Sequence, residues 1–174
     1  MAWGKRVRPA EGEANDDPVA TREAALKLLD RTRRTRSDLT QRLRDKGFAA
    51  SAIEPVLDRL TEVGLVDDTE YARAYLAGRW GRRPAGLRRL QQELRGKGVG
   101  DEAVEAARQT LEQMGQAGDD RAAASKLVAQ AARRYASLEP RVRQQRLYAL
   151  LMRRGFDRDT IQAALALQEA EAGE

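Results

Sequence analysis

Three clusters of arginines have the residue type and the spacing to bind an anionic partner. The guanidinium group is permanently charged and forms paired hydrogen bonds with phosphate or carboxylate oxygens. A helix dipole favours one or two cations at the carboxyl end of the helix, but three or four neighbouring cations repel one another. We therefore predict a basic stripe that faces a polyanion or an acidic protein. Its residues are Arg31, Arg33, Arg34, Arg36, Arg79, Arg82, Arg83, Arg88, Arg89, Arg141, Arg143 and Arg146.

The net charge of +5 conceals a strong segregation of charge along the 174 residues. Residues 31–46, 79–97 and 133–158 carry +5, +6 and +6, which leaves −12 for the rest of the chain. An excess of Arg over Lys can also reflect the base composition of a genome, and single cations before a turn glycine suit helix capping. The clustering nevertheless favours a functional surface that recurs along the chain.

The complete absence of cysteine and histidine removes several kinds of chemistry. No disulfide, zinc finger, thiol nucleophile or serine–histidine triad can be built from the remaining residues. No apolar run approaches the roughly 18 residues that a membrane-spanning helix needs, and the first residues lack the apolar core of a signal peptide. We expect a soluble, cytoplasmic and monomeric protein.

Two acidic pairs, Asp67-Asp68 and Asp119-Asp120, are the remaining candidates for a metal site. Carboxylates bind Mg²⁺, but both pairs stand where helices are predicted to begin, and Asp is a preferred residue at that position. The glycines at 96, 98 and 100 resemble a dinucleotide-binding loop only faintly, because a predicted helix precedes them where that loop needs a strand. We expect no metal, no cofactor, no catalytic residue and no enzymatic activity.

A pattern of leucine, glycine and apolar residues occurs three times. In each copy leucines lie eight and four residues before a glycine, and a large apolar residue directly follows that glycine. Leucines four residues apart share one helix face, and the glycine suits the left-handed position just past a helix end. The residue after the glycine should then pack on the second leucine. Around Gly47, Gly98 and Gly155 the predicted pairs are Phe48 with Leu43, Val99 with Leu94, and Phe156 with Leu151.

A further helix is expected before each copy, at about residues 18–34, 68–80 and 120–136. Asp17 before Pro18 suits the start of the first of these helices. Asp67 or Asp68 and Asp119 suit the starts of the other two. In the second of these helices we expect Tyr71, Ala74 and Tyr75 to face inward.

The sequence therefore predicts an all-α protein of three tandem three-helix repeats with an elongated or curved arrangement. Ala, Leu, Arg, Glu and Gln are abundant and favour helix, whereas the β-branched and aromatic residues that favour strands are few. We call the repeats modules and place them at residues 17–63, 67–114 and 119–170. Residues 1–16 are expected to form a flexible N-terminal tail.

These residues resemble the RecX family of recombinase regulators. The most specific motif is Gly64-Leu65-Val66-Asp67-Asp68 followed by Tyr71-Ala72. The other matching segments are Arg36-Ser37 before Leu39 and Leu43, Lys46-Gly47-Phe48, Gly86, Glu93-Leu94, Lys97-Gly98-Val99, and Arg153-Arg154-Gly155-Phe156. The resemblance covers residues from about 20 to 168. The second module departs from it in carrying Val99 where the others have Phe.

The resemblance implies a function that spacing alone does not show. Members of this family bind RecA along the groove of its filament on DNA and inhibit strand exchange, ATP hydrolysis and coprotease activity. This chain would then act in the control of homologous recombination, DNA repair and the SOS response, with possible direct DNA contact through the basic stripe. Two alternatives remain open from the residues: a free-standing basic DNA- or RNA-binding module, and a helical adaptor for another acidic protein.

Overall fold

The computed structural model describes residues 14–82 and 85–173, without the side chains of residues 80–82 and 171–173. Nine helices and no named strand occur within these ranges, which confirms the predicted all-α class. The helices are α1 (Pro18–Leu29), α2 (Arg36–Asp45), α3 (Ala50–Glu62), α4 (Asp68–Arg82), α5 (Leu87–Arg95), α6 (Asp101–Gln113), α7 (Asp120–Arg134), α8 (Pro140–Arg153) and α9 (Arg158–Gly173).

Aspartates begin the first helix of each module, as their positions predict. Asp17 accepts a hydrogen bond from the backbone N–H of Val19, and Asp119 accepts one from Arg121, both at 2.8 Å. Asp67 accepts one from the backbone N–H of Glu70 at 2.8 Å. These bonds satisfy donors that a helix start otherwise leaves without a partner.

Helix α1 ends at Leu29, five residues before the predicted end at about residue 34. Residues 30–35 form a turn because Thr35 begins α2, where its side chain accepts a hydrogen bond from the backbone N–H of Asp38 at 3.1 Å. The Nε of Arg34 donates to the carbonyl of Leu28 at 3.0 Å and so satisfies a group at the end of α1. The prediction of a longer helix was wrong, since arginine is a good helix former and gives no stop signal.

The predicted glycine turns are present. Gly47, Gly98 and Gly155 have φ values of 90°, 78° and 82°. The backbone N–H of Phe48 donates to the carbonyl of Leu43 at 3.1 Å, and that of Phe156 donates to Leu151 at 3.3 Å. In both turns the residue after the glycine donates to the carbonyl five residues before it. This hydrogen bond is typical of the Schellman helix termination that the leucine–glycine spacing predicts.

The helices separate into two compact units. Among the described residues, the N-terminal unit contains residues 14–71 together with Lys97–Gly100. Its core is formed by buried apolar side chains, and the half-buried Phe48 packs against it. The core residues are Ala25, Leu39, Leu43, Ile53, Val56, Leu57, Leu60 and Val66.

The C-terminal unit contains residues 72–82, 85–96 and 101–173 of the described ranges. Helices α7, α8 and α9 enclose a core in which Phe156 and Leu151 are buried together. The other members are Ala124, Leu127, Val128, Leu147, Ile161, Ala164 and Leu165. In the second module, Leu76, Leu90, Leu94 and Leu111 are all fully buried.

Helix α4 buries a different face from the one predicted. Ala72 and Leu76 are fully buried, whereas Tyr71, Ala74 and Tyr75 are only half-buried beside them. Small and aliphatic side chains are thus buried on this face, while the hydroxyl of Tyr75 reaches Glu93 on α5. The predicted inward face was therefore wrong by about one residue.

Asn15 lies within the predicted tail but is paired to the first module. Its backbone N–H donates to the carbonyl of Gly47, and its carbonyl accepts from the backbone N–H of Ala49, both at 2.8 Å. The side chain of Asn15 also accepts from the backbone N–H of Asp17 at 2.9 Å. The end of the predicted tail thus belongs to the first module. Across the described ranges we find no helix with the length and apolar character to span a membrane.

Candidate partner-binding surface

Three of the four arginines in the first predicted cluster form ion pairs within the chain. Arg33 pairs with Glu70 at 3.0 Å, and Arg34 pairs with Asp38 at 2.8 Å. Arg36 bridges two carboxylates of α3, those of Glu54 at 2.8 Å and Asp58 at 2.9 Å. Arg31 is exposed and makes no ion pair with any described residue. Carboxylates of the N-terminal unit therefore offset much of the positive charge of this basic window, although the side chain of Arg33 is 64% exposed.

The carboxylate of Asp38 shows how closely this network is coupled. Burial raises the pKa of Asp38, but hydrogen bonds from Arg34 and Arg42 outweigh burial and hold the pKa below its ordinary value. Arg42 donates from its Nε at 2.9 Å. The single negative charge of Asp38 is thus shared between Arg34, which precedes α2, and Arg42 on α2.

The second cluster is divided between paired and unpaired arginines. Glu93 accepts hydrogen bonds from Arg79 at 2.6 Å, from Arg89 at 3.0 Å and from the phenol of Tyr75 at 2.5 Å. The Tyr75 hydrogen bond is the main cause that lowers the pKa of Glu93 to about 2, with Arg79 and Arg89 adding to it against the effect of burial. The guanidinium of Arg79 also lies 5.7 Å from the centre of the Tyr75 ring.

The remaining members of this cluster have different positions. Arg88 is exposed on α5 and makes no ion pair with any residue in the described ranges. The side chain of Arg82 and the whole of Arg83 lie outside the described residues.

A basic cleft of about 760 Å³ lies between α5 and the carboxyl end of α8 in the C-terminal unit. Arg88, Arg95 and Arg153 line it, and Phe156 forms part of its base. Arg95 is paired with Asp101 at 2.6 Å, whereas Arg88 and Arg153 are exposed and have no ion-pair partner in the part of the chain that the structure describes. The cleft can therefore hold an anionic group from a partner.

The third cluster lies on α8 and has no internal counterions. Arg141 and Arg146 are exposed, Arg143 is half-buried, and none of the three pairs with a carboxylate among the described residues. Three apolar side chains of the same helix are also exposed, and these are Val142, Tyr148 and Met152. Cations next to exposed aromatic and apolar groups are typical of partner-binding surfaces. We call the cleft and this face of α8 together the α5–α8 surface.

A second basic cleft, of about 650 Å³, lies between α1 and α2 in the N-terminal unit. Arg31, Arg42 and Lys46 line it beside Phe48. This cleft supplies the first module with exposed positive charge even though its neighbouring arginines are paired.

The acidic pairs are engaged as helix caps. Asp67 and Asp119 cap their own helices, while Asp68 and Asp120 accept from the backbone N–H groups of Arg36 and Leu87 at 2.9 and 3.1 Å. No group of three or more acidic side chains that could hold a metal ion occurs within the described ranges. Sequence reasoning missed the role of the second aspartate in each pair, because its partner is more than thirty residues away.

Comparison with known families agrees with this modular architecture. Models of the first, second and third three-helix domains of RecX match residues 22–60, 67–107 and 119–165. The Regulatory protein RecX of Thermobifida fusca is 39% identical over 158 residues, which cover 89% of this chain and 82% of that protein. The chain belongs to the RecX family.

Further relatives and solved structures extend the same result. The Regulatory protein RecX of Mycolicibacterium vanbaalenii is 35% identical across 91% of this chain and 90% of its own length. The crystal structure of RecX from Lactobacillus salivarius superimposes with a TM-score of 0.78 over 89% of this chain and 98% of that one, and at 23% identity it shows the shared fold. A second crystal structure, of regulatory protein RecX, gives a TM-score of 0.76 at 26% identity over 86% of this chain and 73% of that one.

Proposed function

We propose that this RecX-family chain binds the RecA filament on DNA and inhibits its ATPase, strand-exchange and coprotease activities. It does so in the cytoplasm by contact alone, without catalysing a reaction. The observation that supports this proposal is the α5–α8 surface, where Arg88, Arg141, Arg146 and Arg153 lack counterions in the described chain and where Tyr148 and Met152 are also exposed. A surface of this composition fits an anionic partner that also offers apolar contact.

The repeated modules favour a filament over a free RecA monomer as the partner. A filament presents the same surface at regular intervals, and each module carries exposed cations. Once one module is bound, the others bind at a high effective concentration, so several weak contacts combine into a strong one. Free monomers cannot provide this gain. Binding across neighbouring protomers can then limit subunit addition or the closure needed for ATP hydrolysis.

Co-sedimentation with preformed RecA filaments, together with the rate of RecA ATP hydrolysis, tests this proposal. We expect the chain to sediment with filaments and to lower the hydrolysis rate, and to bind free RecA far more weakly. The absence of both co-sedimentation and inhibition at micromolar concentrations would contradict the proposal.

A second candidate function, binding of nucleic acid without RecA, is favoured by the cleft of about 760 Å³ that Arg88, Arg95 and Arg153 line. The affinity for single- and double-stranded DNA should then fall steeply with salt, because each neutralised phosphate releases counterions. Fluorescence anisotropy with labelled oligonucleotides over a range of salt concentrations measures this slope. Negligible affinity at physiological salt would leave the RecA filament as the target.

A further inference from the structure

The second aspartate of each acidic pair reaches back to the preceding module. Asp68, the first residue of α4, accepts a hydrogen bond from the backbone N–H of Arg36 at the start of α2, at 2.9 Å. Asp120, the first residue of α7, accepts one from the backbone N–H of Leu87 at the start of α5, at 3.1 Å. Arg36 and Leu87 occupy equivalent positions in the repeat, so the same contact is made once in each unit.

A second contact accompanies each aspartate. In the N-terminal unit the hydroxyl of Thr35 donates to the carbonyl of Lys97 at 2.8 Å. In the C-terminal unit the backbone N–H of Gly86 donates to the carbonyl of Arg154 at 2.9 Å. Each acceptor is the residue just before a turn glycine. The start of one module's second helix is therefore bound to the turn that ends the next module's second helix.

The turn glycines have two roles. They adopt the left-handed backbone conformation, and they leave room for the neighbouring module to come close. A Cβ atom on Gly98 would collide with the side chain of Ser37, and one on Gly155 would collide with Arg89. A Cβ atom on Gly86 would collide with the carbonyl of Gly155. We call these two contacts between consecutive modules joints. Each joint contains an aspartate that caps a helix of the preceding module, a hydrogen bond to a backbone carbonyl, and a glycine where the two backbones meet.

We propose that Asp68 and Asp120 are positioning residues that lock each module onto the next and so hold the partner-binding cations in the arrangement that binding requires. This proposal rests on the proposed function for its binding part and on the two joints for its structural part. The aspartate acts by accepting a hydrogen bond from a helix start in another module, whereas its neighbour, Asp67 or Asp119, acts within its own helix.

The joint in the C-terminal unit needs an acceptor at position 120 more than it needs a negative charge. The Oδ1 of Asp120 is buried without a hydrogen-bond partner among the described residues. Burial raises the pKa of Asp120 against the lowering effect of the Leu87 N–H, and Asp157 and Asp119 raise it further. An asparagine at this position keeps the oxygen that accepts from Leu87 and removes the buried charge.

Distances between spin labels test the structural part. The chain has no native cysteine, so labels can be placed at Gln92→Cys on α5 and Gln130→Cys on α7, both exposed and both in the C-terminal unit. We expect a narrow distance distribution in the otherwise unchanged chain, in the D119A control and in the conservative D120N variant. D120A should broaden the distribution. A distribution as narrow in D120A as in D119A would overturn the proposal.

A measurement on the unmodified protein covers the case in which D120A does not fold. The Leu87 amide should exchange with solvent as slowly as the buried amides of α5, because it is bound to Asp120 across the joint. Fast exchange of this amide in a chain whose helices are otherwise protected would also overturn the proposal.

Inhibition of RecA ATP hydrolysis tests the binding part. D120A should inhibit about tenfold more weakly than D119A or D120N, since modules that move independently lose effective concentration. Inhibition by D120A equal to that by D119A would overturn this part. If the unmodified chain does not inhibit RecA at all, the proposed function fails, while the label distances still decide whether Asp120 locks the joint.

Discussion

At the scale of single residues, a glycine can be required for two reasons, a positive φ and a close neighbour that leaves no room for a Cβ atom. Substitutions can separate these two reasons. Gly98 has a φ of 78° and meets the side chain of Ser37, whereas Gly115 has a φ of 65° with open space around it. Gly100 has neither a positive φ nor a close neighbour. The leucine–glycine spacing predicts the left-handed turn at Gly98, but the close approach depends on a residue in another module and is invisible in the local sequence.

Alanine substitutions at these three glycines should therefore differ. G100A should change the free energy of unfolding little, and G115A should lower it by about 1 kcal/mol through backbone strain. G98A should lower it by about 2 kcal/mol or more, because the added methyl group also displaces Ser37. Urea denaturation followed by circular dichroism measures the free energy of unfolding of all three variants. Equal effects of G98A and G115A would show that Ser37 moves aside at no cost in stability.

A second residue-scale prediction concerns Glu93, whose carboxylate joins Tyr75, Arg79 and Arg89. The pKa of Glu93 is lowered from 4.5 to about 2, so the stabilisation that it provides is complete above about pH 4.5 and is lost as the pH falls toward 2. E93Q keeps an acceptor for Tyr75 but loses both ion pairs, and should cost about 1 kcal/mol near neutral pH. We expect this difference from the unmodified chain to shrink in urea denaturation as the pH falls from 4.5 to 2, and a constant difference would contradict it.

At the scale of helices, the start of α2 has a role in both local and long-range structure. Thr35 is buried, accepts from Asp38 within its own helix and donates to the carbonyl of Lys97. The sequence predicts α2 through its leucines but extends α1 too far, because arginines in residues 30–34 do not end a helix. The chain leaves α1 at Leu29 and starts α2 after Thr35, whose hydroxyl bonds to Lys97, and helix propensities contain no information on such a contact.

Replacement of Thr35 should separate these contributions. T35V keeps the shape of the side chain but removes the hydroxyl, and should lower the free energy of unfolding by about 2 kcal/mol because a helix cap and a buried hydrogen bond are both lost. T35S keeps the hydroxyl and should cost much less. The midpoint of urea denaturation distinguishes them, and similar midpoints for the two variants would show that the hydroxyl contributes little.

At the scale of the whole molecule, the arginines divide into those paired with carboxylates and those without an ion-pair partner in the described residues. The sequence predicts three equivalent basic windows, but Arg33, Arg34 and Arg36 are occupied by carboxylates from α2, α3 and α4. These carboxylates are not all neighbours on one helix, so counting charge along the chain does not identify them. The repeat, the helix caps and the fold class can be predicted from the spacing of residues in the sequence. Tertiary contacts, in contrast, determine which arginines remain without a counterion.

Charge reversal on the α5–α8 surface tests this division. The double variant R88E/R153E should fold as the unmodified chain does, since neither side chain has an ion-pair partner in the described residues, and it should weaken inhibition of RecA ATP hydrolysis at least tenfold. The matched control is R133E/R134E, which changes the net charge equally through two exposed arginines of α7. Equal inhibition by the two double variants would place the binding surface elsewhere.

The pairing of Asn15 with the first turn has a consequence for assembly. In the other modules the turn before the glycine receives a helix start from a preceding module, and a chain of such joints could propagate from one molecule to another. In the first module Asn15 instead pairs with the N–H of Ala49 and the carbonyl of Gly47, one residue beyond the position that Lys97 and Arg154 hold in the other two turns. At the other end, α8 begins with Pro140, which has no N–H, and Glu139 caps it by accepting from the backbone N–H of Val142 at 3.2 Å. A joint of this kind with a second molecule would therefore have to displace Asn15 from the first turn, and the start of α8 would offer it no N–H group at Pro140.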